Sequence, residues 1–566
     1  MSNGAGFQDE NLREPYAILT VASGESEGWM DSGRRGIFLV VAIIAVSAVL
    51  GGIYGPSVRA TAAGADDIQQ SVKDFSRVLA IVEQNYADPV DVENVINSGA
   101  IPGMLRVLDP HSSFFDARQF AILREDQRGK YYGVGMSVAP REGHTVVLAP
   151  FLGSPAYKAG IRPGDIILKV DDKPCEGLST SEVADLLKGP KGTVVKITVG
   201  REGFLEPLNF VVTRDEIPRH GVDNPLMLKQ GIGYVRVAGF NETTDRELAD
   251  ALDRLDVSDL RGLVLDLRNN PGGLLNEGVA VADMFLEKNQ LIVSHRGRAS
   301  QERRYYAVRG NRGIDVPLVI LINGQSASAS EIVAGAVQDH DRGLIVGETS
   351  FGKGLVQSVY QLSGSTGLAM TTAKWYTPSG RLIQRDYKTV SLFDYQFNRK
   401  APEQPTEIKL TDSGRQVYGG GGIKPDVVVS LPKLNKFQQT LLRRDVIYPF
   451  ELGVSGFARF HLAQKPTITR DFKVDDAVMA EFRRYLDKQN IRYTEAEIQE
   501  NLEWLQRKIR RELFLSEFGQ AESYKVEIEG DLQVQKAIEM IPEARALYEN
   551  AKRVVAQRMA GQAISQ

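Results

Sequence analysis

The period of the apolar positions changes along this chain. From Asp66 to Phe120 they recur at helical spacing, as at Phe75, Val78, Leu79 and Val82, until Tyr86-Ala-Asp-Pro89 breaks the pattern. A second helical stretch ends near Leu108-Asp-Pro-His-Ser. Between Tyr131 and about Arg214, Thr145 to Leu148, Ile166 to Val170, Val194 to Val199 and Asn209 to Val212 alternate or run apolar, which predicts strands. A helix is predicted over Ser179 to Leu187. From Gly231 the two patterns take turns: strand over Gly233 to Val237, helix over Thr244 to Leu255, then an apolar strand, Gly262-Leu-Val-Leu-Asp-Leu-Arg268. A helix over Leu275 to Phe285 and strands over Leu291 to Ser294 and Val316 to Ile322 follow. This alternation predicts a sheet covered by helices, with functional loops beyond the strand ends. Past Pro432 the chain is charge-rich, with helical patterns over Val474 to Gln489, Thr494 to Phe514 and Leu532 to Met559.

One apolar run stands apart. Between Arg35 and Arg59 lie 23 uncharged residues with an apolar core from Ile37 to Leu50, close to the ~20 that cross a bilayer. Arg34 and Arg35 precede it, so the positive-inside rule makes 1–35 a cytoplasmic tail and 36–58 a transmembrane anchor. On this reading the protein sits single-pass in the inner (cytoplasmic) membrane, with its bulk in the periplasm or otherwise outside the cytoplasm. Ala60-Thr61-Ala62 also fits a signal-peptide cleavage site, but the long polar leader before Arg34 favours an uncleaved anchor. A length of 566 residues allows three or four domains, and 42% hydrophobic with 25% charged residues excludes wholesale disorder. A net charge of −4 gives no electrostatic case for nucleic acid. Cys175 is the sole cysteine and the six histidines lack His-x-x-x-His spacing, so no disulfide within the chain, metal or other cofactor is expected.

Candidate chemistry lies between Ser326 and Gly354, in Ser-Ala-Ser-Ala-Ser-Glu (Ser326 to Glu331) and Phe-Gly-Lys-Gly (Phe351 to Gly354). A serine hydroxyl needs a neighbouring base, and lysine serves only where burial leaves it partly neutral. Small residues around the serine leave room for a peptide, and the helix-like run opened by Glu331 would aim N–H groups at a developing oxyanion. The pattern suggests a Ser–Lys protease with activity rising towards mildly alkaline pH. Three rivals remain. Gly347 to Gly354 nearly matches a phosphate-binding loop, but glycine stands where magnesium's hydroxyl ligand belongs. His340 with Asp339 or Asp341 could build a Ser-His-Asp triad, though no Gly-x-Ser-x-Gly elbow surrounds Ser328. A non-catalytic peptide-binding scaffold at the membrane is the third.

Ala159-Gly-Ile-Arg-Pro-Gly-Asp-Ile-Ile167 resembles a PDZ domain, and Tyr132, Gly133, Val134, Gly135 and Met136 resemble that domain's peptide-binding loop. Backbone N–H groups of such a loop hold a C-terminal carboxylate while the peptide adds to a sheet edge. Leu267-Arg-Asn-Asn-Pro-Gly-Gly273, Lys374-Trp-Tyr-Thr-Pro-Ser-Gly-Arg381 and Gly421-Gly-Ile-Lys-Pro-Asp426 complete an ordered set. Together with the serine and lysine motifs, over roughly 75 to 430, they resemble the carboxyl-terminal processing (tail-specific) proteases. The resemblance implies an endopeptidase acting on proteins with exposed C-termini, without metal or nucleotide. It implies Ser328 as nucleophile, Lys353 as general base and Gln357 orienting the amine. The N–H of Ala329, with one from Gly272 or Gly273, would form the oxyanion hole, and Asp339 would be structural. Trp375 stands where tyrosine is usual in the family, a neutral departure. The fold expected is multi-domain α/β: an N-terminal helical region (66–127), a PDZ domain (128–215) placed before an α/β-sheet protease core (216–432), and a C-terminal helical extension (433–566). A homo-oligomer is compatible with the two flanking helical regions.

Overall fold

In the computed structural model the described residues are 7–8 and 62–564, except 202, 224, 229–230, 257–259, 312–313, 398–406 and 448–452. The chain divides into two units, one of residues 9–108 and one of 109–566 with 1–8. In the first, α1 (Ala62–Asn85) stops before Tyr86, and α2 (Ile101–Leu108) ends where Asp-Pro follows. Proline disfavours a helical residue before it, so the stop of α2 at Asp109 is local. Ile68, Val72, Phe75 and Val78 of α1 are exposed.

In the second unit a short strand (Ser113–Phe115) and a helix (Ala117–Arg128) precede β1 (Lys130–Gly133). An antiparallel sheet follows: β2 (Met136–Arg141), β3 (His144–Pro150), β4 (Ile166–Val170), β5 (Val194–Gly200) and β6 (Leu208–Thr213), adjacent in that order. Val195, Ile197 and Val199 of β5 point to one face at the two-residue period of a strand and are fully buried. They share a core with Val183 and Leu187 of the helix Thr180–Leu187, whose Ser179 cap exchanges hydrogen bonds with Glu182. A last strand, β7 (Asp215–Pro218), returns antiparallel to β1.

Four parallel strands form the centre of the unit, in spatial order β8 (Ile232–Arg236), β9 (Gly262–Asp266), β10 (Leu318–Ile322) and β11 (Gly343–Gly347). Their apolar runs are continuous because both faces are covered. Leu263, Leu265, Leu318 and Ile320 face a core shared with the helices Thr244–Arg254, Leu275–Asp283 and Ala329–Asp339. Tyr234, Val264, Val319 and Leu321 face a second core, closed by Ile528, Val534, Ala537, Ile541 and Ala544. These last belong to the helices Gln520–Glu529, Leu532–Glu539 and Ile541–Ile564, so the far C-terminal helices are the second cover of the parallel sheet. Helices between Lys436 and Phe518 close around a core of their own, with Phe457, Phe482 and Leu505 inside. The expected helix over Leu532 to Met559 is two helices that break at Met540, and the one over Thr494 to Phe514 breaks at Asn501.

The single-pass inner-membrane location is corrected. Among the described residues no helix is long and apolar enough to cross a membrane. The run 36–58, on which that expectation rested, lies outside the described residues.

Candidate active site

Three loops meet at the C-terminal edge of the parallel sheet. The first leaves β9 as Leu267 to Gly273. The second leaves β10 and runs into the helix Ala329–Asp339. The third, Ser350 to Gly354, leads into β12 (Leu355–Gln361), which pairs antiparallel with β13 (Gly367–Tyr376).

Ser328 caps the helix with φ +54° and ψ −112°, a backbone conformation that costs on the order of 1–3 kcal/mol unless its surroundings enforce it. One carboxylate enforces it. Glu331, fully buried, accepts the Ser328 N–H (2.8 Å), the Gly352 and Lys353 N–H groups (2.6 and 2.9 Å) and the Ser350 hydroxyl. Burial pushes its pKa above the usual carboxylate range, and these four donors pull it back. The same side chain therefore holds the serine turn and the lysine loop in one geometry.

Lys353 is 3% exposed, and its Nζ donates to Gln357 Oε1 at 2.9 Å. Burial lowers its pKa from 10.5 to about 8, against the opposing charges of Asp109 and Glu331. The Gln357 amide is oriented from behind, since its Nε2 donates to the His111 carbonyl. A register shift between Val356 and Gln357 interrupts the β12–β13 ladder at this point, where a bulge re-aims a side chain. Asp109 shapes the His111 turn by accepting the N–H groups of His111 and Ser112 and the Ser112 hydroxyl. The His111 imidazole is held neutral: burial first, then the Lys353 charge, lowers its pKa to about 3. Trp375, fully buried, donates its indole N–H to the Lys353 carbonyl at 3.1 Å. The tryptophan read as a neutral departure thus braces the lysine loop.

The glycine loop lies against the serine. A Cβ on Gly272 (φ +100°) would fall 2.8 Å from Ser328 Cβ and 2.7 Å from the Ala327 carbonyl, so only glycine allows this approach. Asn270 organises the loop: its Oδ1 accepts the Gly272 N–H, and its carbonyl accepts the Ala327 N–H and the Ser330 hydroxyl. The N–H groups of Gly273 and Ala329 have no partner among the described residues. They are the donors left for an oxyanion, whereas that of Gly272 is already taken.

All the residues expected at the reaction centre converge here, but no hydrogen bond joins Lys353 Nζ to Ser328 Oγ among the described residues; the amine rests on Gln357. His340 sits at the far end of the helix that Ser328 starts, its ring nitrogens engaged by Asp412 and the Leu291 carbonyl, so it builds no triad with Ser328. Asp339 pairs with Arg381 in the interior. The Gly352 and Lys353 N–H groups are spent on Glu331, which removes the phosphate-cradle rival. Among the described residues no group of His, Cys, Asp or Glu side chains could hold a metal.

Tyr132 and Gly133 lie in β1, opposite Glu216 and Asp215 of β7. Val134 and Met136 bury their side chains in the β2–β6 core. Gly135 (φ +76°) turns its carbonyl inward to Ser154 Oγ and the Phe151 N–H, while the Val134 and Gly135 N–H groups have no partner among the described residues.

Reading the sequence did not find the tasks of Glu331, Asn270, Asp109 or the His111 carbonyl. Only Glu331 carried a signal, three residues after Ser328 at capping-box spacing.

The model of Peptidase family S41 matches residues 231–390, and that of the PDZ domain matches residues 146–201. The chain is 41% identical over 315 residues to a carboxy-terminal-processing protease of Bartonella bacilliformis, covering 55% of this chain and 72% of that one. It is 32% identical over 351 residues to carboxy-terminal processing protease CtpA of Bacillus subtilis, covering 60% and 74%. Among solved structures, a photosystem II D1 C-terminal processing protease is 31% identical, covering 63% of this chain and 92% of that one, with a TM-score of 0.32.

Proposed function

The chain belongs to the carboxy-terminal-processing proteases, PDZ-bearing serine peptidases of family S41, and from that premise we propose that Ser328 and Lys353 cleave protein tails delivered by the Tyr132 to Met136 loop. The observation that carries this reading is the buried Lys353 amine. Its pKa of about 8 leaves a usable neutral fraction, and Glu331 ties its loop to the Ser328 turn.

A substrate's terminal carboxylate takes the free Val134 and Gly135 N–H groups, and the chain upstream reaches the glycine loop. Rotation of the Lys353 side chain carries Nζ from Gln357 to Ser328. Neutral Nζ then removes the Oγ proton as Oγ attacks the scissile carbonyl. The Ala329 and Gly273 N–H groups stabilise the oxyanion. The C–N bond breaks, and the Lys353 ammonium returns its proton to the leaving amine. A water deprotonated by the same amine releases the acyl group. Gln357, held by His111, supports the ammonium between steps.

Cleavage of casein, and of a peptide with a free C-terminal carboxylate, by residues 66–566 tests this. Ser328→Ala is expected to reduce cleavage at least ~10³-fold while the protein stays folded. Undiminished cleavage by that variant refutes the assignment.

A further inference from the structure

The loop that carries Gly273 is braced from behind by residues of the C-terminal helices. Its second residue, Arg268, is 8% exposed. Two of its nitrogens, Nε and Nη2, grip the buried Asp266 carboxylate at 3.0 and 2.6 Å. The third, Nη1, leaves the protease core: it donates to Gln533 Oε1 at 2.8 Å and meets Asp531 Oδ2 at 2.7 Å. Gln533 is fully buried and anchored by its own amide to the Val429 carbonyl, and Asp531 caps the helix Leu532–Glu539. Asp266 has a second link to the same region, through the Tyr234 hydroxyl (2.6 Å) to that of Tyr524 (2.7 Å).

From Arg268 the constraint passes forward. The neighbouring Leu267 carbonyl accepts the Ser326 hydroxyl, and Asn270 fixes Gly272 and the Ala327 N–H. Arg268 joins Leu267 and Asn270 through the main chain, and hydrogen bonds from these two reach the glycine loop and the serine turn, so the guanidinium is tied to both. Covering the sheet face needs only apolar residues, and Val534, Ala537 and Ile541 supply them. A half-buried aspartate and a fully buried glutamine aimed at Arg268 are not needed for that.

We infer that Asp531 and Gln533 are positioning residues for the oxyanion loop, which makes the C-terminal helices a working part of the active site. The inference rests on the Ser328 reading above. Because oxyanion donors act in the transition state, their displacement lowers kcat and spares KM.

The test uses the full chain, fluorescein-casein and a tripeptide aldehyde whose adduct places an oxygen in the hole. Gln533→Met with Asp531→Asn is expected to lower kcat about 10- to 100-fold, leave KM within about threefold and weaken aldehyde inhibition by a similar factor. Asp531→Glu, which keeps the carboxylate, should retain most of the activity. Val534→Ala, on the same helix but away from Arg268, is expected to lower the melting temperature and leave kcat within about twofold. Should the double variant not fold, Gln533→Met alone carries the comparison. Unchanged kcat in a folded Gln533 variant overturns the inference, as does an equal kcat loss in Val534→Ala. If Ser328→Ala is inert while the Gln533 variant is fully active, this inference alone falls; if Ser328→Ala is active, both fall.

Discussion

Replacing Lys353 with methionine is expected to abolish activity and, at neutral pH, to stabilise the protein. In the unfolded chain the amine holds its proton to about pH 10.5; in the folded site it does so only to about pH 8. Because the folded pKa is the lower one, the unfolded state binds more protons between these values, and stability rises with pH there. Below pH 8 the buried ammonium thus costs about 3 kcal/mol, a cost that vanishes above pH 10.5. Methionine has a similar unbranched shape and no charge. It also leaves the buried Gln357 Oε1 without its donor, a loss of about 1–2 kcal/mol at any pH. The balance is a gain of about 1–2 kcal/mol at pH 6.5 that becomes a loss of similar size near pH 11. With Trp29 and Trp504 replaced by phenylalanine, Trp375 fluorescence reports unfolding next to the lysine, because its indole holds the Lys353 carbonyl. Denaturant midpoints at the two pH values give the comparison. A difference of the same sign and size at both would refute the reasoning, whatever its effect on activity.

Two further outcomes are expected. Gln357→Glu puts a carboxylate against the amine and favours its charged form, so the acid limb of kcat/KM, centred near pH 8 in wild type, should move up. Activity at pH 7 should drop about tenfold and recover in part by pH 10; an unmoved limb would show that Lys353 does not set it. Gly135→Ala places a Cβ 2.5 Å from Ser154 Cβ at φ +76°, so it should raise KM for peptides ending in a free carboxylate by about tenfold or more. The rate on an amidated peptide should change little, and equal effects on the two would remove the carboxylate role from this loop.

Much of the fold was legible because its signals are local. The strands over Ile166 to Val170 and Val194 to Gly200 and the helix from Thr244 sit within a residue or two of the pattern that announced them. Ser328 and Lys353 stood out in the sequence as candidates because small residues and glycines isolate both in their loops. Gln357 came only through family resemblance: glutamine within Leu355-Val-Gln-Ser-Val reads as any strand residue, and the register shift that aims it depends on β13. Glu331 read as a helix opener because its other partners lie 19 to 22 residues further on. Asp531 reads locally as the cap of the helix Leu532–Glu539, and the buried polarity of Gln533 has no local cause, since its partner Arg268 stands 265 residues earlier. The apolar run 36–58 had the length and flanks of an anchor, yet no membrane-crossing helix occurs among the described residues.

The two-sided sheet sets the order in which this enzyme can be finished on the ribosome. Ser328, Lys353 and the glycine loop are all synthesised before residue 360, but one face of the strands beneath them is closed largely by residues 520–564. A nascent chain that has just emitted its catalytic residues therefore carries an uncovered apolar sheet and an Arg268 with half its partners missing. The cover of that face and the remaining partners of Arg268 arrive only with the helices of residues 520–564, after some 160 to 200 further residues have been added.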